Sequence, residues 1–174
     1  MLETPMRELL AEYPSARRAL FSHFHIGGCQ SCAFSEDDSL GAVCKQHDID
    51  AEKAQQAILT SHEEEQALLI TPGVLAKKLA AAEPPVLVDS RTREEHDAVA
   101  IPGSILLVES TLAELSQDVE QEIVFYDHRG LSVLDHVSWF RGHGLKNTFA
   151  LKGGIDAYSQ DVDPALPRYR LEID

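Results

Sequence analysis

The segment of residues 122–140, EIVFYDHRGLSVLDHVSWF, constrains the fold of this chain more than any other stretch. Ile123–Tyr126 is a short run of β-branched and aromatic residues, a composition that predicts a buried strand of a parallel sheet. The apolar residues that follow recur at helical spacing and predict a helix: Leu131, Leu134, Val137 and Phe140. The loop between strand and helix, residues 127–130, is expected to turn several backbone N–H groups toward one point, which suits an anion.

The rest of residues 67–174 alternates short apolar runs with helical patterns. Strands are predicted at residues 68–70, 86–88, 104–108 and 148–151, helices at residues 71–82 and 110–117, and a helix or turn at residues 94–99. Because strands joined through helices form right-handed crossovers, this alternation predicts an α/β fold with a mainly parallel sheet flanked by helices. The proline-containing residues 161–174 are expected to form a surface tail.

The N-terminal third of the chain has a different pattern. Helices are predicted at residues 6–13, 15–24, 39–47 and 51–66, with residues 35–38 as the start signal of the third. The polar run of residues 61–66 is expected to mark a boundary. The sequence therefore predicts two domains, a small all-helical domain at residues 1–66 and the α/β domain at residues 67–174.

Composition and charge exclude several classes of partner. The chain carries 15 basic and 29 acidic side chains, a net charge of −14, so it should repel nucleic acid and anionic membranes. No run of about 18 apolar residues predicts a membrane span, and the acidic, polar N-terminus is unlike a secretory signal. Three cysteines, an odd number, favour reduced thiols, redox use or metal binding over a disulfide framework. A cytoplasmic location is therefore expected.

Four segments of the second domain carry a family resemblance, in matching order and spacing. They are VLVDSR (86–91), REEHDAVAIPGS (93–104), IVFYDHRG (123–130) and LKGGIDAYSQ (151–160). Residues 68–168 thereby resemble a rhodanese domain, which implies the rhodanese fold and a loop built for sulfur transfer. Arg91 with Glu94 or Glu95 resembles the structural ion pair of that family.

The loop departs from the pattern of active rhodaneses. Asp127 stands where they carry their persulfide-forming cysteine, and Ala100 stands at a histidine position. A carboxylate cannot form a persulfide, so we expect no sulfurtransferase activity through this loop. Three roles of Asp127 stay open: capping the loop amides, joining a binding loop, or acting as nucleophile or base. The binding loop would comprise Asp127, His128, Arg129 and Gly130, with His128 and Arg129 either attracting an anion or lying solvated.

The first domain carries a second resemblance. Residues 27–50, GGCQSCAFSEDDSLGAVCKQHDID, resemble a small helical family similar to the N-terminal domain of iron–sulfur-cluster repair proteins and linked to hybrid-cluster proteins. Cys29 and Cys32 fit a redox or sulfur-handling pair, an inert pair, or two metal ligands. Cys29, Cys32, Cys44 and His47 have zinc-like spacing, although Cys44 also falls on an apolar helical stripe, where buried cysteines are common. We expect no cofactor, with zinc or an iron–sulfur cluster as the alternatives.

Three functions follow from these patterns. The first, which we favour, is a catalytically inactive rhodanese-like protein that binds a protein partner and regulates sulfur or redox metabolism. The second is a persulfide or disulfide relay through Cys29 and Cys32, with the rhodanese-like domain docking the partner. The third is a metal protein.

Overall fold

The chain forms two compact units, the first comprising Met1–Ala67 and the second beginning at Leu68. The computed structural model describes residues 1–27 and 34–170. The described part of the first unit contains the helices α1 (Met6–Glu12), α2 (Ala16–Phe24), α3 (Leu40–Gln46) and α4 (Ala51–Ala67). These helices are close to the four that the sequence predicts.

The first unit is held together by the apolar faces of its helices. The buried side chains come from all four and include Met6, Leu9, Leu20, Leu40, Val43, Cys44 and Ile58. The residue that caps helix α3 is Ser39, one residue after the predicted start signal of residues 35–38. Its hydroxyl accepts a hydrogen bond from Ala42 N at 3.2 Å. The polar residues 61–66 lie within α4, where Glu65 is buried and accepts a hydrogen bond from Arg18 Nη1 at 2.6 Å.

The second unit is a five-stranded sheet with helices in the connections. Its strands are β1 (Leu69–Ile70), β2 (Val86–Asp89), β3 (Ile105–Leu106), β4 (Ile123–Tyr126) and β5 (Thr148–Leu151). Its helices are α5 (Pro72–Leu79), α6 (Arg93–Ala98), α7 (Glu109–Leu115), α8 (Val133–Gly142) and α9 (Gly154–Asp161). The strand order is β1-β5-β4-β2-β3 and every pairing is parallel.

Strand β4 lies at the centre of this sheet and is buried at all four positions. Its alternate side chains enter two apolar clusters, one containing Ile123 and Phe125 and the other Val124 and Tyr126. Burial on both faces is what a central parallel strand covered by helices requires. The predicted fold class, a helix-flanked parallel sheet together with N-terminal helices, is confirmed.

Two local predictions for the second unit are wrong. Leu131 precedes α8 instead of belonging to its apolar stripe, and 85% of its surface is exposed. Helix α9 forms where no helix was predicted. The segment of residues 162–170 lies at the surface, as expected, and contacts the sheet unit through Leu166 and Tyr169.

Across the described residues, no helix is both long enough and apolar enough to span a membrane.

Candidate functional site

The loop after β4 is built around the carboxylate of Asp127. This side chain is buried and accepts hydrogen bonds from Ser132 N at 2.9 Å, Ser132 Oγ at 3.0 Å and Val133 N at 3.1 Å. Gly130 N donates a fourth hydrogen bond to the same carboxylate. The loop does turn its N–H groups toward one point, and the Asp127 carboxylate lies at that point.

The start of α9 is hydrogen-bonded to the backbone of this loop. Ile155 N donates to Asp127 O at 3.0 Å and Asp156 N donates to His128 O at 3.1 Å, so the first turn of α9 is bonded to the loop. Gly154 has a φ of 59°, and a Cβ there would lie 2.6 Å from the carbonyl carbon and oxygen of His128. Glycine at position 154 is therefore required by both its backbone angle and this close approach.

The neighbouring strand β2 ends in a second buried carboxylate, that of Asp89. Arg91 donates from Nε to Oδ1 at 2.8 Å and from Nη2 to Oδ2 at 2.5 Å, and the Tyr126 hydroxyl donates to Oδ2 at 2.9 Å. His96 Nδ1 lies 2.8 Å from the same oxygen. Burial by itself would raise the pKa of Asp89, but the hydrogen bonds from Arg91 and His96 outweigh burial and lower it.

Tyr169 connects the two loops. Its ring stacks on His128 with a centroid distance of 4.3 Å and an angle of 6° between the planes. Its hydroxyl accepts a hydrogen bond from Arg91 Nη1 at 2.6 Å and donates one to Glu95 Oε1 at 2.7 Å. Burial and the bond to Glu95 raise the pKa of Tyr169 to about 12, so the hydroxyl keeps its proton at neutral pH.

A cavity of about 500 Å³ opens beside these two loops. Its walls come from the end of β2 with the start of α6 on one side and from the loop after β4 on the other: Ser90, Arg91, Thr92, Glu95, Asp127, His128, Arg129, Leu131 and Ser132. Many of the polar side chains in these walls are already hydrogen-bonded within the protein. The exposed side chains of Arg129 and Leu131 lie at its edge and remain available to a ligand.

The structure places the predicted loop residues together but gives them different environments. Asp127 and His128 are buried, whereas Arg129 is exposed. The burial of His128 excludes the solvated position considered for it. The pair expected between Arg91 and Glu94 or Glu95 is replaced by the direct pair of Arg91 with Asp89, and Glu95 reaches Arg91 only through the Tyr169 hydroxyl.

The cysteines of the first unit are described only in part. Cys29 and Cys32, the predicted redox or sulfur-handling pair, lie outside the described residues. Cys44 is 1% exposed in the core of the first unit, where burial raises the pKa of its thiol. His47 is the C-cap residue of α3. Within residues 1–27 and 34–170, no group of three or more His, Cys, Asp or Glu side chains is placed to hold a metal ion.

Sequence reasoning missed the residues that connect the site. Asp89 lies in the segment VLVDSR and directly after the predicted strand of residues 86–88, so its position was a usable signal for a buried carboxylate at the end of that strand. Tyr169 gave no local signal, because the residues around it show neither helical nor strand periodicity. Its contacts with Arg91 and Glu95 join positions 78 and 74 residues apart.

Comparison with family models and with known proteins finds similar sequences. The model of the rhodanese-like domain matches residues 71–161. The chain is 29% identical over 99 residues to the adenylyltransferase and sulfurtransferase uba4 of Ogataea parapolymorpha, covering 55% of this chain and 25% of that protein. It is 26% identical over 89 residues to the chloroplastic rhodanese-like/PpiC domain-containing protein 12 of Arabidopsis thaliana, covering 48% and 30%. The matched regions thus span between a quarter and a third of the length of these curated relatives.

Solved structures include similar chains. The human single-domain sulfurtransferase TSTD1 is 23% identical, with a TM-score of 0.48 and coverage of 54% of this chain and 96% of that one. A rhodanese-like domain protein from Staphylococcus aureus is also 23% identical, with a TM-score of 0.48 and coverage of 59% and 98%.

Proposed function

The chain belongs to the rhodanese-like family, and from that premise we propose that it acts in sulfur metabolism by binding a protein partner, without transferring sulfur at the loop after β4. The observation that carries this proposal is the position of the Asp127 carboxylate, which accepts four hydrogen bonds from its own loop and the first residue of α8.

Sulfur transfer through a cysteine needs a thiolate that takes a sulfane sulfur and passes it on. Asp127 has no sulfur, and its oxygens already occupy the point where the loop amides converge. A hydrogen bond to a charged group contributes about 1.5–3 kcal/mol, so an external anion would have to displace a well-bound side chain. The arrangement favours the capping role of Asp127 over a role as nucleophile or base.

Binding would then use the surface that the loop leaves free. Leu131 is 85% exposed beside the cavity, and the charged side chain of Arg129 is exposed two residues before it. Burying a leucine side chain contributes about 1.5–3 kcal/mol, and an adjacent arginine selects a nearby carboxylate. A partner segment with an apolar side chain next to an acidic one fits this edge of the cavity.

A thiosulfate:cyanide sulfurtransferase assay tests the proposal. The wild-type protein should stay at the level of a buffer blank, and Asp127→Cys should gain measurable activity because it restores a thiol among the loop amides. Asp127→Ser is the matched control, because serine is close to cysteine in size but has no sulfur, and this variant should stay inactive. Wild-type activity that survives replacement of all three cysteines would contradict the proposal.

The sulfur relay remains a second candidate, which the Cys29-x-x-Cys32 spacing favours. Intact mass of the purified protein, with and without reductant, separates the two. A relay should show either a gain of about 32 Da for a persulfide or a loss of about 2 Da for a disulfide, absent from the Cys29→Ala/Cys32→Ala variant. A mass equal to that of the reduced chain under every condition would count against the relay.

Cys44 is the internal control for that experiment. It is buried and the pKa of its thiol is raised, so it should react with an alkylating reagent only after unfolding. Peptide mapping after brief alkylation should therefore find Cys44 unlabelled in native protein and labelled in denaturant. Rapid native labelling of Cys44 would show that the first unit opens readily.

A further inference from the structure

The side chains that surround Tyr169 are of the kind that bind a ligand. We infer that Arg91, Glu95 and His128 form a recognition site for a tyrosyl side chain, which Tyr169 occupies from within the chain and which a tyrosine of the partner can enter in its place. The inference rests on the proposed function in one respect, that the partner binds at the cavity to which these three residues also contribute.

The first argument is the hydrogen bonding of the hydroxyl. Arg91 Nη1 donates to it at 2.6 Å and Glu95 Oε1 accepts from it at 2.7 Å, so the group must be an acceptor and a donor at once. A phenol meets both requirements, whereas a phenyl ring would leave a guanidinium donor and a carboxylate acceptor unpaired. Sites built to hydrogen-bond a hydroxyl reject analogues that lack it.

The second argument is the environment of the ring. His128 lies parallel to it at 4.3 Å, and the guanidinium carbon of Arg91 is 5.9 Å from its centroid. The carbonyl oxygen of Tyr169 lies 3.1 Å from His128 Nε2, and since a carbonyl can only accept, that nitrogen donates. Ring face, hydroxyl and one backbone carbonyl are thus all recognised, which is the set a tyrosine in a peptide presents.

The third argument is how the occupant is attached elsewhere. Residues 162–170, which we name the strap, contain no helix or strand. Apart from Tyr169, the strap is held by the packing of Val162 and Leu166 on an apolar cluster and by Ser159 Oγ donating to Leu166 O at 2.6 Å. The half-exposed Arg168 adds two hydrogen bonds to Asp156, at 2.7 and 3.1 Å. None of these contacts is a strand pairing, so exchange of Tyr169 does not require the sheet to unfold.

Exchange would change the cavity. Arg91, Glu95 and His128 line the cavity and also contact Tyr169, so movement of the strap removes the contacts that hold these walls on one side. The strap would therefore regulate the walls of the cavity, because it fills the tyrosyl site with its own tyrosine until the partner supplies another.

A chemical-rescue experiment on the full chain tests the inference. Tyr169→Ala removes the occupant, and 4-methylphenol is the probe because it carries the ring and hydroxyl of tyrosine. We expect millimolar 4-methylphenol to raise the Tm of Tyr169→Ala and to slow hydrogen exchange of the amides of Gly130, Ser132 and Val133. Wild-type protein should bind the probe at least tenfold more weakly, because its site is filled.

Two comparisons separate this site from a nonspecific apolar cavity. Toluene, which lacks the hydroxyl, should bind Tyr169→Ala about tenfold more weakly than 4-methylphenol, a difference equal to about one hydrogen bond. Glu95→Gln in the Tyr169→Ala background should also weaken 4-methylphenol binding, while glutamine can still complete the capping box at the start of α6. Equal binding of toluene, or equal binding by wild type, would overturn the inference.

If Tyr169→Ala does not fold, Tyr169→Phe carries the test. It removes only the hydroxyl and should speed exchange of the loop amides, whereas the matched variant Tyr158→Phe, away from Arg91 and Glu95, should not. No difference between these two variants would also overturn the inference. Sulfurtransferase activity of the wild type would contradict the proposed function alone, and absent phenol rescue would contradict this inference alone.

Discussion

Two buried aspartates end neighbouring parallel strands, and the protein stabilises them in opposite ways. Asp89 ends β2, Asp127 directly follows β4, and these strands pair in register. The carboxylate of Asp89 is bonded by side chains, among them those of Arg91 and Tyr126. The carboxylate of Asp127 is bonded by three backbone amides and one hydroxyl, all within six residues of it.

This difference predicts which of the two aspartates can be substituted with the smaller loss of stability. The partners of Asp127 lie in its own loop and at the start of α8, so they remain in place when the side chain at position 127 changes. The partners of Asp89 include a buried guanidinium, and a buried charge without its counterion is costly. We therefore expect position 127 to tolerate substitution with a smaller loss of stability than Asp89 or Arg91.

The largest effect should come from Asp89→Ala. It leaves the Arg91 guanidinium buried beside a cavity, so the free energy of unfolding of the second unit should fall by about 3–5 kcal/mol. Urea denaturation followed by fluorescence of Trp139, the single tryptophan, reports on this unit. Asp161→Asn, at an exposed position, should change the value by less than about 0.5 kcal/mol. If both substitutions lowered the free energy of unfolding equally, the Asp89–Arg91 pair would not have the stabilising role assigned to it.

The next effect should come from Gly154→Ala, which disturbs the support behind the Asp127 loop. Alanine at a positive φ costs about 1–2 kcal/mol, and the overlap with His128 adds about 1–3 kcal/mol. Gly73→Ala is the matched control, since a Cβ there meets nothing within 4 Å and the residue lies in α5. That control should stabilise by about 0.5–1 kcal/mol. Thermal unfolding of the two variants compares them directly.

A smaller loss is expected for Asp127→Asn. The asparagine oxygen can still accept from some loop amides, but its NH2 group faces N–H donors, which should cost about 1–3 kcal/mol. Hydrogen exchange should speed up at Ser132 and Val133 and stay unchanged in β2. A loss as large as that of Asp89→Ala would mean that the Asp127 loop also depends on distant partners.

The smallest effect should appear in the acid limb of the stability curve. Because folding lowers the pKa of Asp89, its contribution is complete above the unfolded value of about 3.9 and is lost as pH falls through the folded value. Urea midpoints at pH 5 and pH 3 should therefore differ more for wild type than for Asp89→Asn. A variant with the full wild-type acid dependence would show that other carboxylates account for it.

The sequence by itself determined most of the elements of secondary structure and the fold class. Hydrophobic periodicity is a local property, so the buried strand Ile123–Tyr126 and the parallel arrangement could be predicted from it. The convergence of loop N–H groups after β4 could also be predicted, because a strand followed directly by a helix brings them together. The redox or sulfur-handling role of Cys29 and Cys32 stays a prediction.

The tertiary structure alone decided which side chains complete the site. Tyr169 meets Arg91 and Glu95 across 78 and 74 residues, and the first turn of α9 bonds to the loop after β4. Leu131 fits the helical spacing of its neighbours and yet lies outside α8, exposed beside the cavity. The spacing of apolar residues predicts which side of a helix or strand a residue lies on. Contacts between distant segments depend instead on how the packed sheet brings those segments together.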